Sequence, residues 1–236
     1  MRILVIDDTV LQIVSAEQCL KGHVLTFART YDDAVERLQR NVSWSELDAR
    51  AKQRGIVAPK RHDGPEFQAE FDAYWRKREE LEESLRPPPF DAVLVDLMMP
   101  ASRETMAGEG LRFAGELMPV GFALALFAIK QRTKFVAVLT ATSHHDHPAS
   151  AMLDLFKARD HIFAVDGARL GFFHAPWRAI DGTICSHCQG AKKVPDECSK
   201  EPGTLQDCFG CCGDGLARGK DWAKALAYVM GETKDY

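Results

Sequence analysis

The chain opens with a continuous apolar run, Ile3-Leu4-Val5-Ile6, cut off by Asp7-Asp8-Thr9. So short a run, without polar alternation, predicts a strand buried on both faces of a parallel sheet. Asp7-Asp8-Thr9 supplies capping groups for a helix ending near Leu20, where Lys21-Gly22 stops it. His23 to Ala28 predicts a second strand, and Thr30 to Gln39 a helix with Ala34, Val35 and Leu38 on one face. The pattern returns after residue 90. Strands are expected at 91–95 ending at Asp96, at 135–139 ending at Thr140, and at 162–165. Helices are expected over Gly110 to Lys130, divided near Pro119-Val120-Gly121, then over Met152 to Ala158 and Lys220 to Met230. This alternation predicts an α/β fold, a doubly wound five-stranded parallel sheet.

Two stretches break the rhythm and read as insertions into a single domain spanning 1–236. Residues 41–89 form a helical insertion, with helices over Trp44 to Lys52 and Glu66 to Leu85 and a stiff stop at Pro87-Pro88-Pro89. Ten acids and nine bases between Ser45 and Arg86 leave it nearly neutral, while Phe67, Phe71, Tyr74 and Trp75 make it aromatic. It reads as a helical hairpin with a solvated face, or as a partner-docking or dimerisation surface. The second insertion, 181–218, holds six of the seven cysteines.

Composition narrows the classes. The chain has 236 residues, 34 acids against 30 bases, so no general attraction to nucleic acid or anionic membrane is expected. Its most apolar stretch, Leu117 to Ile129, is broken by Pro119 and Gly121 and falls short of the about 20 residues a membrane helix needs. The start, MRILVIDD, lacks the layout of a signal peptide, so a cytoplasmic location is the expectation. No glycine-rich phosphate loop, nucleophile elbow or nucleic-acid motif is present.

Candidate chemistry gathers at the strand ends, where open α/β sheets bind ligands. Asp7 and Asp8 follow the first strand, Asp96 ends the third and Thr140 the fourth. Carboxylates converging there repel one another unless a cation neutralises them, and hard oxygen donors suit Mg²⁺. Read blandly, Asp7 and Asp8 are caps and Asp96 starts a loop.

Ile3-Leu4-Val5-Ile6-Asp7-Asp8, Val93-Leu94-Val95-Asp96-Leu97-Met98-Met99-Pro100 and Val138-Leu139-Thr140-Ala141 together resemble the receiver (CheY-like) domains of two-component response regulators. The likeness covers 1–40 and 90–166, with the last helix as the fifth. It implies a phosphorelay protein, with Asp96 the phosphoryl acceptor from a histidine kinase, phosphotransfer protein or small donor. It further implies Mg²⁺ held by Asp7, Asp8, Asp96 and the Met98 carbonyl, and Thr140 bound to the phosphoryl group. Output would pass by protein–protein contact to an unknown target, with a homodimer one form. Receivers also carry a Lys-Pro pair after the fifth strand. Phe163-Ala164-Val165-Asp166-Gly167 lacks it, Asp166 would add negative charge, and Phe163 falls near the family's aromatic switch position. Arg169, Lys192 or Lys193 could supply the cation instead. The rivals are a pseudo-receiver scaffold that is not phosphorylated and a Mg²⁺-dependent phosphohydrolase; the receiver reading makes the chain a signalling domain and not an enzyme.

Cys185-Ser186-His187-Cys188 and Cys208-Phe209-Gly210-Cys211 form two CxxC knuckles able to hold one tetrahedral ion, and Zn²⁺ fits four thiolates best. The form CxxCxG resembles the zinc repeats of DnaJ-type cysteine-rich domains. Cys198 and Cys212 are spare, and His187 is a possible substitute ligand. The module should sit at the sheet edge bearing the acids, with Trp177 and Trp222 packing it down. His144-His145-Asp146-His147 is a further metal candidate, or a solvated loop.

Overall fold

The computed structural model describes residues 1–39, 42–62, 64, 66–85, 90–102, 104–141, 162–195 and 203–233. The expected helix at Met152 to Ala158, the His144–His147 cluster and Cys198 lie outside these. In chain order the elements begin with β1 (Arg2–Ile6), α1 (Val10–Cys19), β2 (Val24–Ala28) and α2 (Tyr31–Leu38). Then come α3 (Trp44–Gln53), α4 (Glu66–Leu85), β3 (Ala92–Asp96), β4 (Met99–Pro100), β5 (Leu117–Met118) and α5 (Gly121–Lys130). The rest are β6 (Phe135–Thr140), β7 (Ile162–Val165), β8 (Ala168–His174), β9 (Trp177–Ile184), β10 (Lys193–Pro195), β11 (Leu205–Asp207), β12 (Leu216–Lys220) and α6 (Trp222–Met230). None of the helices described is long and apolar enough to cross a membrane.

The chain divides into two units, 39–89 and the remainder. In the larger unit a six-stranded sheet runs β2-β1-β3-β6-β8-β7, with every neighbouring pair parallel except β7 on β8. The mixed α/β class therefore holds. Strand pleating sorts successive side chains to opposite faces. Leu4, Ile6, Val93, Val95, Val136, Val138 and Leu170 meet Ala34 and Leu38 of α2 and Leu124, Ala125 and Ala128 of α5. Ile3, Val5, Leu94, Ala137, Leu139 and Phe173 meet Ala16 of α1, Leu20 at its end, and Trp222, Ala225, Leu226 and Val229 of α6. Apolar on both faces, the strands have no solvent side, which is why they read as unbroken hydrophobic runs.

Three sequence expectations need correction. The strand at 162–165 is not the fifth parallel strand: it is an antiparallel edge, turned back at Asp166-Gly167, both at positive φ (48° and 79°). Asp-Gly between two apolar runs is a strong two-residue hairpin signal. The fifth parallel strand is β8, pairing Phe135 with Arg169 and Thr140 with His174. Secondly, the amino-terminal part of the expected 110–130 helix is a short 3₁₀ turn, Gly108–Phe113, followed by β5 on β4. Pro119 and positive-φ Gly115 leave only 121–130 as α-helix. Thirdly, Thr9 at the start of α1 makes no side-chain cap; instead Asp7 Oδ1 accepts from the Thr9 amide at 2.9 Å.

The smaller unit is a pair of helices. Ser43 caps α3, its Oγ accepting from the Glu46 amide at 3.2 Å. Leu47 and Ala51 of α3 close on Leu81 of α4, with Val42, Ile56 and Leu85 around them. Arg78 bonds Asp48 and Tyr74 Oη and lies over the Trp44 ring at 5.3 Å.

Gly121 fixes how α5 meets the strand bearing Asp96. Its amide donates to the Leu97 carbonyl at 3.0 Å, and a Cβ there would stand 2.0 Å from the Asp96 carbonyl oxygen. Gly121→Ala is therefore expected to cost about 1–3 kcal/mol through forced backbone displacement, read by urea denaturation. An unchanged midpoint would show that the contact is not rigid.

Candidate metal and phosphoryl site

The strand order changes direction between β1 and β3: β2 lies outside β1, and β3 continues to β6. A crevice outside the carboxyl ends of two such strands is the usual ligand position in open α/β sheets. Asp7 stands at the end of β1, and Asp96 closes β3 beside it. Together with Asp8, each offers a carboxylate oxygen, and the three atoms lie within 4.8 Å of one another. Asp7 is fully buried. Thr140, ending β6, is buried at the same end of the sheet, and Met98 is half-buried against the α2–α5 face. The sequence-chosen residues are thus brought to one edge.

The residue missed from sequence is Lys220. It is 1% exposed, and its Nζ donates to Asp7 Oδ2 at 2.6 Å and reaches Asp96 Oδ1 at 2.9 Å. The Lys220 amide donates to Gln12 Oε1 (2.7 Å), its carbonyl accepts from Ser15 Oγ (2.8 Å), and its Nζ lies 5.2 Å from the Trp222 ring centre. Among the candidates named from sequence, Lys193 pairs with Asp207 inside the cysteine module. Arg169 is the second residue of β8, at the sheet end opposite Thr140, and Asp166 lies with it at that far end. Asp166 therefore adds no charge to the pocket. The signal for Lys220 was its place directly before Asp221, which caps the last helix through the Lys224 amide.

Burial pushes the Asp96 carboxyl up to about 6; Lys220 opposes the shift and Asp7 adds to it. Asp7 is also raised, again chiefly by burial and against the pull of Lys220. A carboxyl whose folded value exceeds the ordinary 3.8 holds its proton more tightly in the fold, so Asp96 subtracts stability as pH rises from about 4 to about 6. We expect ¹³C NMR of the carboxyl in metal-free buffer to give a midpoint near 6, and Lys220→Ala to move it higher. A midpoint that Lys220→Ala leaves unchanged would disprove the pairing of Lys220 with Asp96.

The second cluster is made of sulfur. Cys185, Cys188, Cys208 and Cys211 are buried, with all four sulfurs within 4.8 Å of one another. Cys185 and Cys208 sulfurs are 3.9 Å apart and those of Cys188 and Cys211 3.7 Å. These separations far exceed a disulfide's about 2.05 Å. They match the roughly 3.8 Å between ligands of a tetrahedral ion with 2.3 Å metal–sulfur bonds. The cluster could therefore hold a metal such as zinc. Its sulfurs are not equivalent. Burial opposes ionisation of Cys188, but hydrogen bonds from the Lys192 and Gly190 amides and the Cys211 and Cys208 thiols bring it down to about 7. Burial and the Cys211 thiol push Cys208 up to about 12. The grouped donors are the four cysteines; the His187 ring lies on Phe209, with centroids 4.2 Å apart. Cys212 is exposed, and so is Trp177, whereas Trp222 is wholly buried on the sheet. Trp222 packs α6 on the sheet, while Trp177 lines a cavity with Phe209, Gly210 and Cys212 of the cysteine module.

The chain as purified from zinc-supplemented medium should carry one zinc per molecule by plasma emission spectroscopy. Cys185→Ser and Cys208→Ser should each lose most of it. Full retention in both variants would refute the four-sulfur site.

Comparison of the chain with family models, curated proteins and solved structures gives no match in any of the three.

Proposed function

We propose that the chain is a receiver-type phosphoryl acceptor, with Asp96 as nucleophile and a divalent cation, Mg²⁺, held beside it. The observation that carries this reading is Lys220, a buried ammonium bonded to both Asp7 and Asp96 at the strand switch point. With β8 as fifth strand, Ala175-Pro176 falls where receivers have Lys-Pro. The Asp221 amide donates to the Pro176 carbonyl at 2.7 Å, bringing Lys220 back to that point after a long excursion. The departure that the sequence suggested is then a displacement of the lysine and not its loss. The strand order β2-β1-β3-β6-β8 and helices on both faces are consistent with a doubly wound receiver fold.

In the reaction, an Asp96 oxygen attacks phosphorus in a phosphohistidine or small acyl phosphate. The new P–O bond forms as the bond to the leaving nitrogen or oxygen breaks, and the leaving group takes a proton from solvent. Above pH about 6 Asp96 is ionised and able to attack. Asp7 is committed to Lys220 and the Thr9 amide, so Asp8 and Asp96, with the Met98 carbonyl that the receiver resemblance implies, would be the groups to hold a cation. A Mg²⁺ ion held by these groups would neutralise charge on the transferring group. Lys220 shifts from Asp96 to the phosphoryl oxygens, and the Thr140 hydroxyl donates to another. Such positioned donors account for most of the catalysis of phosphoryl transfer.

A second reading, a scaffold that is not phosphorylated, is favoured by the same contact: Lys220 already pairs with Asp7 and Asp96, offsetting part of the charge of the acids without a bound metal ion. One experiment separates them. With Mg²⁺ and a small acyl phosphate, the chain should gain one phosphoryl group by mass spectrometry, absent in Asp96→Asn. In Lys220→Ala the rate should fall about a hundredfold. A folded, Mg²⁺-binding chain that gains no phosphoryl group from either this donor or a phosphohistidine protein would favour the scaffold.

A further inference from the structure

The hairpin of β9 and β12 leaves the sheet at Pro176 and returns at Asp221, and its strands pair only with each other. An isolated two-stranded hairpin is marginal in water. This one is held at both ends. Near its base, Gln18 of α1 exchanges two hydrogen bonds with the Asp181 backbone, each 2.9 Å, while Gln12 and Ser15 hold Lys220. At its far end the ladder runs into the sulfur cluster. The Cys185 amide donates to the Gly215 carbonyl (2.9 Å), the Gly215 amide to Cys211 Sγ (3.3 Å), and Arg218 to the Cys211 carbonyl (3.0 Å) and Asp214. From Gly215 to Lys220 is about 17 Å of extended strand. One continuous ribbon thus ends in four thiolates on one side and in the pocket's ammonium on the other.

We propose that the four-cysteine metal centre regulates the acidic pocket: zinc occupancy holds Lys220 on Asp7 and Asp96 and so decides whether the pocket takes a phosphoryl anion or a bare divalent cation. This deepens the phosphoryl-acceptor reading and rests on it. Binding energy at such a centre is ordering energy for the segment carrying the ligands. Loss of zinc loosens the ribbon, and Lys220 spends less time in the pocket. The consequence has opposite signs for two ligands. Lys220 competes with a cation for the carboxylates, whereas it attracts an anion bound beside Asp96.

The test uses the full chain in three states: zinc-loaded, stripped by a chelator that is then dialysed away, and reloaded. Three readouts are taken: hydrogen exchange over 216–222, Mg²⁺ affinity by calorimetry, and beryllofluoride affinity by ¹⁹F NMR. Stripping should raise exchange over 216–222, tighten Mg²⁺ about fivefold or more and weaken beryllofluoride about tenfold or more, within the usual range of allosteric coupling. Reloading should reverse all three. In Lys220→Ala, Mg²⁺ binding should already be tight, and stripping should change it no further. Unchanged affinities after complete zinc loss would overturn the proposal. So would a parallel loss of both affinities with lost protection in β1 and β3, because zinc would then hold up the fold as a whole. If the loaded chain binds no beryllofluoride, the phosphoryl-acceptor reading fails, while exchange and Mg²⁺ affinity still decide whether zinc positions Lys220.

Discussion

A buried ammonium between buried carboxylates governs the larger unit. Lys220 and Asp7 are both almost wholly withdrawn from water, so neither charge can be left without the other. That demand brings together residues far apart in the chain. β1 and β3 must be neighbours for Asp7 and Asp96 to share one cation. α1 must lie where Gln12 and Ser15 can bond the Lys220 backbone, and α6 must start at once so that Trp222 can cover the ammonium. The Trp222 indole in turn donates to the Gln12 carbonyl at 3.0 Å. Remove the ion pair, and this set of contacts has no common purpose.

Much of this was legible in sequence where side-chain pattern alone decides structure. The strands around Leu4, Val93 and Val138 are apolar on both faces, and so short an unbroken apolar run marks a strand covered on both sides. The acids follow them directly, so their convergence needed only the order of elements. The cysteine spacing likewise encodes its own geometry, since two tight turns suffice to gather four sulfurs.

What stayed hidden depends on contacts between distant segments. The edge strand around Phe163 and the parallel strand around Leu170 have similar compositions, and only the Asp166-Gly167 turn distinguishes a reversal from a crossover. If the strand around Phe163 were the fifth, the residues after it would lie at the end of the sheet opposite the acids. Lys220 itself sits in Gly219-Lys220-Asp221, a context that reads as a helix start. Its burial comes from residues more than 200 positions away. Arg218 and the Gln18–Asp181 pair are equally silent in sequence, because their partners are set by the hairpin's path along α1.

The separation of 213 residues between Lys220 and Asp7 also has a meaning during synthesis. Chains emerge from the ribosome amino end first, and early segments can begin to order before later ones exist. The acids at 7, 8 and 96 are therefore exposed to the cell well before their neutralising cation has been translated. Throughout that interval the nascent pocket is a cluster of unpaired carboxylates, open to whatever cations the surroundings supply. The cysteines are made between the acids and the lysine, so the metal knuckles are complete nine residues before Lys220 is added.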